Sequence, residues 1–143
     1  MKKKRDCFLA KLCRAGIQLR EQIDDDYPSR DRRSDGWIAD SRHLAKGTSD
    51  HIPIDGIVRA LDIDANLNAH PEEAHALAEK IRKCAKKDKR FKYVIYDGRI
   101  ASSILRWKWR KYKGPNPHKS HIHISFNPSG DQDRSWINLE GVQ

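Results

Sequence analysis

The stretch FKYVIYDGRIASSI, residues 91–104, constrains the fold more than any other. Two runs rich in β-branched and aromatic residues flank Asp97-Gly98. An Asp-Gly pair supplies both positive-φ positions of a tight two-residue turn, so the flanking runs are expected to pair as antiparallel strands. Residues 57–64, IVRALDID, read as a further strand with alternating faces, and His121 to Phe126 as another. Helical spacing appears twice. Residues 6–24 place Phe8, Leu9, Leu12, Cys13, Ile17 and Leu19 on one side, closed by Asp24-Asp25-Asp26. His70-Pro71-Glu72-Glu73 opens a second helix, with proline near its first position and acids in the first turn. The apolar face of that helix is Ala74, Leu77, Ala78, Ile81, Cys84 and Ala85, and Lys86 and Lys87 suit the dipole of its last turn. Residues 27–50 are polar and read as a long loop with short helical turns. The expected fold is a single α+β domain over residues 1–143: a small, mostly antiparallel sheet of four or five strands with two or three helices.

A chain of 143 residues can bury a hydrophobic core without disulfides. Cys7, Cys13 and Cys84 form no CxxC pair and read as buried thiols. The longest apolar runs are too short for a bilayer, so no membrane insertion is expected. The start, MKKKRDCFLAKLCRAG, has a basic run over residues 1–5 that reads as a flexible N-terminus. It fails as a signal peptide because Asp6, Lys11 and Arg14 interrupt any apolar segment. Folding in the cytoplasm is the expectation. Net charge is +9, and Lys2, Lys3, Lys4 and Arg5 account for four of those charges, which leaves +5 on the rest. Such a surface prefers polyanions, of which nucleic acid and an anionic cell wall are two.

Three of the seven histidines fall within HKSHIHIS, residues 118–125. On a strand, side chains repeat every second residue, so His121 and His123 share one face while Ile122 and Ile124 point into the core. His118 precedes the strand, after the turn Gly114-Pro115-Asn116-Pro117, and can fold over the same face. Clustered imidazoles suit a metal and a neighbouring acid–base group. Ser49-Asp50-His51 and Asp62 offer partners. Asp62 sits between Leu61 and Ile63, where a carboxylate is costly to bury unless it is paired or bound to metal. His51, Asp62 and His123 would form a His₂-carboxylate set with an open fourth position, the composition of catalytic rather than structural zinc. Pairing of Asp62 with Arg59 or Arg42 is the plainer alternative.

The segments SDHIPIDGIVRALDID and WKWRKYKGPNPHKSHIHIS together resemble the M15/LAS-type zinc peptidases of bacterial cell-wall peptides, and are most similar to single-domain phage endolysin peptidases. The resemblance covers about residues 35–127. It implies a hedgehog/D-Ala-D-Ala peptidase-like fold with one Zn²⁺ on the sheet face, held by His51, Asp62 and His123. His118 matches the histidine that the LAS endopeptidases place before the final HxH. His51 and Asp62 stand further apart than in compact relatives, with Pro53 to Gly56 as a small inserted loop. Ser120 stands where some relatives have a carboxylate base, so the acid–base role falls to His121, with His118 as the alternative.

The resemblance further implies a monomer that hydrolyses an amide bond in peptidoglycan stem or cross-link peptides. It would act at the wall after leaving the host cytoplasm through a pore, with no nucleic acid as partner. Ser49 and Asp50 are candidates to orient His51 through its second ring nitrogen, and Arg42 to hold a substrate carboxylate. Residues 105–113, LRWKWRKYK, alternate charge and aromatic rings. As a strand they would put Trp107 and Trp109 on one face and Arg110 on the other. Trp109 and Arg110 are therefore candidate substrate contacts. The same pattern also suits single-stranded nucleic acid, which keeps a metal-dependent nuclease as one alternative function; a non-catalytic zinc-bound wall-binding module is another.

Overall fold

The computed structural model describes residues 10–37 and 49–141. Arg42, Cys7 and the basic residues 1–5 lie outside them. The described residues form an α+β arrangement of two helices and a mostly antiparallel sheet, as expected. In chain order the elements are β1 (Lys11–Leu12), α1 (Arg14–Asp26), β2 (Ile57–Val58), β3 (Ala60–Asp64), α2 (Glu73–Ala85), β4 (Phe91–Tyr96), β5 (Arg99–Ser102), β6 (Arg110–Lys111) and β7 (His121–Phe126). Five strands make one antiparallel sheet in the order β3-β7-β4-β5-β6, and β1 and β2 pair in parallel beside it.

The hairpin forms where Asp97-Gly98 requires it. Both residues take positive φ, 49° and 77°, and Tyr96 pairs with Arg99 across the turn. A second Asp-Gly pair does the same work in the segment expected as an insert. Asp55 and Gly56 have φ of 52° and 77°, and Ile54 and Ile57 exchange both backbone hydrogen bonds at 2.9 and 3.0 Å.

Strand β7 lies between β3 and β4, so both of its edges are satisfied. Its register sets Ile122 against Ile63, Ile124 against Leu61 and Val94, and His123 against Asp62. Alternation then separates two faces. Leu61, Ile63, Val94, Ile122, Ile124 and Phe126 join Leu19, Ile23, Leu77 and Ile81 of the helices in one buried cluster. The opposite face carries Asp62, His121, His123, Ser125 and Tyr93.

Three local expectations are corrected. The first helix begins at Arg14, because Leu12 and Cys13 are drawn to β2: Cys13 donates to the Val58 carbonyl at 2.9 Å. Gly16 permits this start, since a Cβ there would come within 2.9 Å of the Leu12 side chain. The strand expected over 57–64 breaks at Arg59, whose guanidinium turns to Asp131 at 2.7 Å. Residues 105–113 do not form one strand. Ser103–Leu105 is a 3₁₀ turn, and Arg106 and Trp107 take left-handed backbone with φ of 58° and 61°. The reason is Trp107, which is buried in the core, while its carbonyl accepts from Arg82 of α2 at 3.0 Å. Of the cysteines, Cys13 is buried and Cys84 half-buried, and burial pushes their thiols up to about 11 and about 12.

The loop after α1 is ordered by charge. Arg30, with its side chain fully buried, donates to Asp24 at 2.8 Å and doubly to Asp35 at 2.8 and 2.7 Å. Asp35 accepts from the Asp64 amide at 2.7 Å, and Asp64 accepts from the Ser34 amide at 2.8 Å. Gly36 and Asp62 then exchange backbone hydrogen bonds at 3.1 and 2.7 Å. This covers the outer edge of β3, which would otherwise present unpaired backbone groups.

Ile124 lies at the centre of the buried face and is fully buried. Ile124→Ala should lower unfolding free energy by about 2–5 kcal/mol, the usual cost of a large core deletion. Urea denaturation followed by circular dichroism measures it. A loss below about 1 kcal/mol would contradict the register of β7.

Candidate metal centre

Asp62 is at the focus of the polar face. Its Oδ2 lies 3.2 Å from His51 Nε2, and its Oδ1 lies 3.0 Å from His123 Nδ1 and 3.7 Å from His121 Nε2. His118 Nδ1 is 2.8 Å from His121 Nε2. Four histidines from two chain segments thus surround one carboxylate from a third. His51, Asp62 and His123 each offer a ligand atom, and all three atoms lie within 4.8 Å of one another.

The second nitrogens of the two candidate ligands are already engaged. His51 Nδ1 lies 3.0 Å from the Trp37 carbonyl. A carbonyl only accepts, so Nδ1 carries the proton and Nε2 is the nitrogen that faces Asp62. His123 Nε2 lies 2.8 Å from the Ser125 hydroxyl, which leaves Nδ1 to face Asp62. Metal-ligating histidines are normally fixed in this way by an outer hydrogen bond. Both imidazoles are nearly fully buried, and Tyr93 stacks on the His123 ring at 5.5 Å. Two imidazoles, one carboxylate and two outer partners fit a divalent ion of the zinc type.

Electrostatics agree with the geometry. Burial opposes the charge of Asp62, but hydrogen bonds and charge from His123 and His51 outweigh it and hold the carboxyl far below the ordinary range. Burial likewise opposes protonation of His51, yet its bond to Asp62 raises it overall. The two other histidines shift the opposite way. Burial, together with repulsion from neighbouring imidazoles, lowers His118 to about 4, and burial also lowers His121. These two are neutral at pH 7.

Of the residues expected from sequence, His51, Asp62, His118, His121 and His123 are brought together. The alternative pairing of Asp62 with Arg59 is excluded by the Arg59–Asp131 bridge. Ser49 accepts the backbone amide of His51 at 3.1 Å and fixes the turn rather than the ring. Asp50 is near the site, and its negative charge favours the protonated form of His51. Its carboxylate accepts from Tyr93 at 2.8 Å and pairs with Lys92 at 3.2 Å. It therefore fixes Tyr93, whose ring stacks on that of His123. Burial alone would raise Asp50, but the Tyr93 phenol and the Lys92 charge hold it below its usual value.

Trp109 and Arg110 are not brought to the histidines. Trp109 donates from Nε1 to Glu79 of α2 at 2.7 Å and lies under Arg99, and Arg110 is exposed on β6, the sheet edge farthest from β3. The aromatic ring from that segment that does reach the site is Tyr112, 5.9 Å from the His118 ring.

Sequence reasoning missed Trp37, Tyr93, Lys92, Ser125 and Tyr112. The Ser125 position was readable, since HxHxS places it on the His123 face. The Trp37 contact uses only a backbone carbonyl and leaves no residue signal. A groove of about 700 Å³ lies between the end of α2 and residues 133–141, but it contains no imidazole, so chemistry rather than volume locates the site.

No family model matches the chain, and no curated protein or solved structure matches it either.

Ser125→Ala removes the partner of His123 Nε2 while leaving both rings in place. Divalent-metal affinity should fall roughly 10–100-fold, the typical cost of losing an outer-shell bond. Competition with a chromogenic zinc chelator measures this, and an unchanged affinity would show that Ser125 does not orient His123.

Proposed function

We propose that the chain is a zinc-dependent peptidase acting on the stem or cross-link peptides of bacterial peptidoglycan, with a hedgehog/D-Ala-D-Ala peptidase-like arrangement and the mode of action of a phage endolysin. The observation that carries this reading is the convergence of His51, Asp62 and His123, with a neutral pair of histidines directly beside them. The HxxHxH spacing and the strand acid add the family resemblance. The +9 charge suits a wall rich in carboxylates and other anions.

Zinc held by His51 Nε2, Asp62 and His123 Nδ1 would polarise the scissile carbonyl and make water acidic enough to react near neutral pH. The remaining work belongs to the chain. His121 and His118 share a 2.8 Å contact, one ring donating and the other accepting. The pair acts as one base: the ring that donates across this contact keeps its outer nitrogen free to take a proton, and the imidazolium so formed is stabilised by the neighbour that accepts from it. Their lowered pKa values keep them neutral and able to accept it. Returning that proton to the leaving amine completes the cleavage. Ser120, with Oγ 3.3 Å from His121 Nδ1, steadies the other side of that ring.

Purified peptidoglycan incubated with the zinc-loaded protein should yield stem-peptide fragments by mass spectrometry. Stems left intact, with wall material unchanged, would overturn the proposal. The ligand and base roles separate by substitution. His123→Ala and Asp62→Ala should lose zinc and turnover together. His121→Ala should keep zinc and fold while losing on the order of 10²- to 10⁴-fold in rate. Zinc content, thermal melting and turnover measured on the same samples decide it. An Asp62→Ala protein with full zinc occupancy would refute the ligand set.

A further inference from the structure

We infer a second divalent-cation site, formed by His118, His121 and the shared carboxylate of Asp62, which is filled after the first and silences the base. The inference rests on the reading that His51, Asp62 and His123 hold the first ion. His118, His121 and Asp62 also each offer a ligand atom, with all three within 4.8 Å of one another. His118 Nδ1 and His121 Nε2 are 2.8 Å apart, and His121 Nε2 is 3.7 Å from Asp62 Oδ1. Imidazole and carboxylate donors together favour zinc, cobalt, nickel or copper over magnesium or calcium.

Neither ring is loosely placed. His121 is the first residue of β7 and pairs with Asp64 of β3. His118 takes a left-handed backbone with φ of 56°. Its amide donates to Asn116 Oδ1 at 3.0 Å, and its carbonyl accepts the Asp97 amide at 3.0 Å. The Gly98 amide bonds the preceding Pro117 carbonyl at 2.8 Å. The β4–β5 turn thus holds the backbone that carries His118. Both imidazoles are half-buried, which limits competition from water.

The ordering of the two sites follows from charge. Asp62 is the one carboxylate common to both, so a second cation must share its negative charge and bear repulsion from the first. It binds more weakly. Occupancy ties up the lone pairs of His118 and His121 that would accept the proton, so excess zinc removes the base without displacing the first ion.

Zinc titration of the full chain by equilibrium dialysis with elemental analysis tests this, using His118→Asn and His121→Gln. Asparagine tolerates the left-handed backbone at position 118, and circular dichroism checks that both variants fold. The wild type should bind a tight and a weaker equivalent, and both variants should lose the weaker one alone. Turnover of the wild type should fall as the weaker equivalent fills. A wild type saturating at one equivalent, or a weaker equivalent that survives in both variants, overturns the inference. His51→Gln tests the first site separately. If it keeps the tight equivalent, the first ligand set is wrong, whereas the result at His118 and His121 stands on its own variants.

Discussion

A buried carboxylate that must stay ionised shapes the centre of this protein. Asp62 sits on a strand between two fully buried apolar residues, Leu61 and Ile63, with its side chain only 15% exposed. An isolated charge in such a place costs several kcal/mol in effective terms. The chain meets that cost by surrounding Asp62 with imidazoles rather than with arginine or lysine. The choice matters for chemistry. A guanidinium stays protonated and would close the site permanently, whereas an imidazole can give up its proton and offer a lone pair to a cation. The same contacts that keep Asp62 ionised thus leave a site that metal can enter.

The rest of the polar face serves to aim those imidazoles. His123 is aimed by the sheet itself, through its pairing with Asp62, and by the Ser125 hydroxyl and the stacked Tyr93 ring behind it. His51 comes from a loop and needs outside support, which the Trp37 carbonyl provides. Trp37 in turn follows Gly36, which is bonded to the β3 edge, and that segment is set by Arg30 gripping Asp24 and Asp35. The chain of dependence runs from a buried arginine in a polar loop to one ring nitrogen. Conserving the histidine alone would not conserve the site's geometry, because its orientation is encoded more than a dozen positions upstream.

Much of this was legible in the sequence because it rests on period and turn chemistry. Asp97-Gly98 announced its hairpin, HIHIS announced a two-faced strand, and a lone acid between Leu61 and Ile63 announced a paired or ligated carboxylate. What was not legible depends on tertiary contacts. LRWKWRKYK alternates as a strand would, yet burial of Trp107 against α2 outweighs that local pattern and bends the chain. Leu12 fits a helical stripe equally well, but pairing with Val58 draws it into a strand. Asp50 stands next to His51 in sequence, and the expectation tied the two together. In the fold the Asp50 carboxylate reaches across to Tyr93 and Lys92, and so holds the ring that stacks on His123, seventy-three residues away. Sequence proximity was a poor guide there because adjacent residues at a turn point in different directions.

The separation of the ligands along the chain has a thermodynamic consequence. His51 and His123 belong to distant segments, and Asp62 and His123 are 61 residues apart. In the unfolded chain these three groups do not meet, so an ion held by all three would select the folded state and its binding free energy would add to stability. The contribution is uneven. Strands β3 and β7 are joined by five residue pairs and bury Ile122 and Ile124 without assistance, so Asp62 and His123 are aligned by the sheet alone. His51 sits in the 49–54 segment, held by the Ser49 and Trp37 contacts and the short Ile54–Ile57 hairpin. A bound ion would therefore add most where the fold supplies least: it would tie that loop to the sheet, while the sheet provides the rigid half of the site.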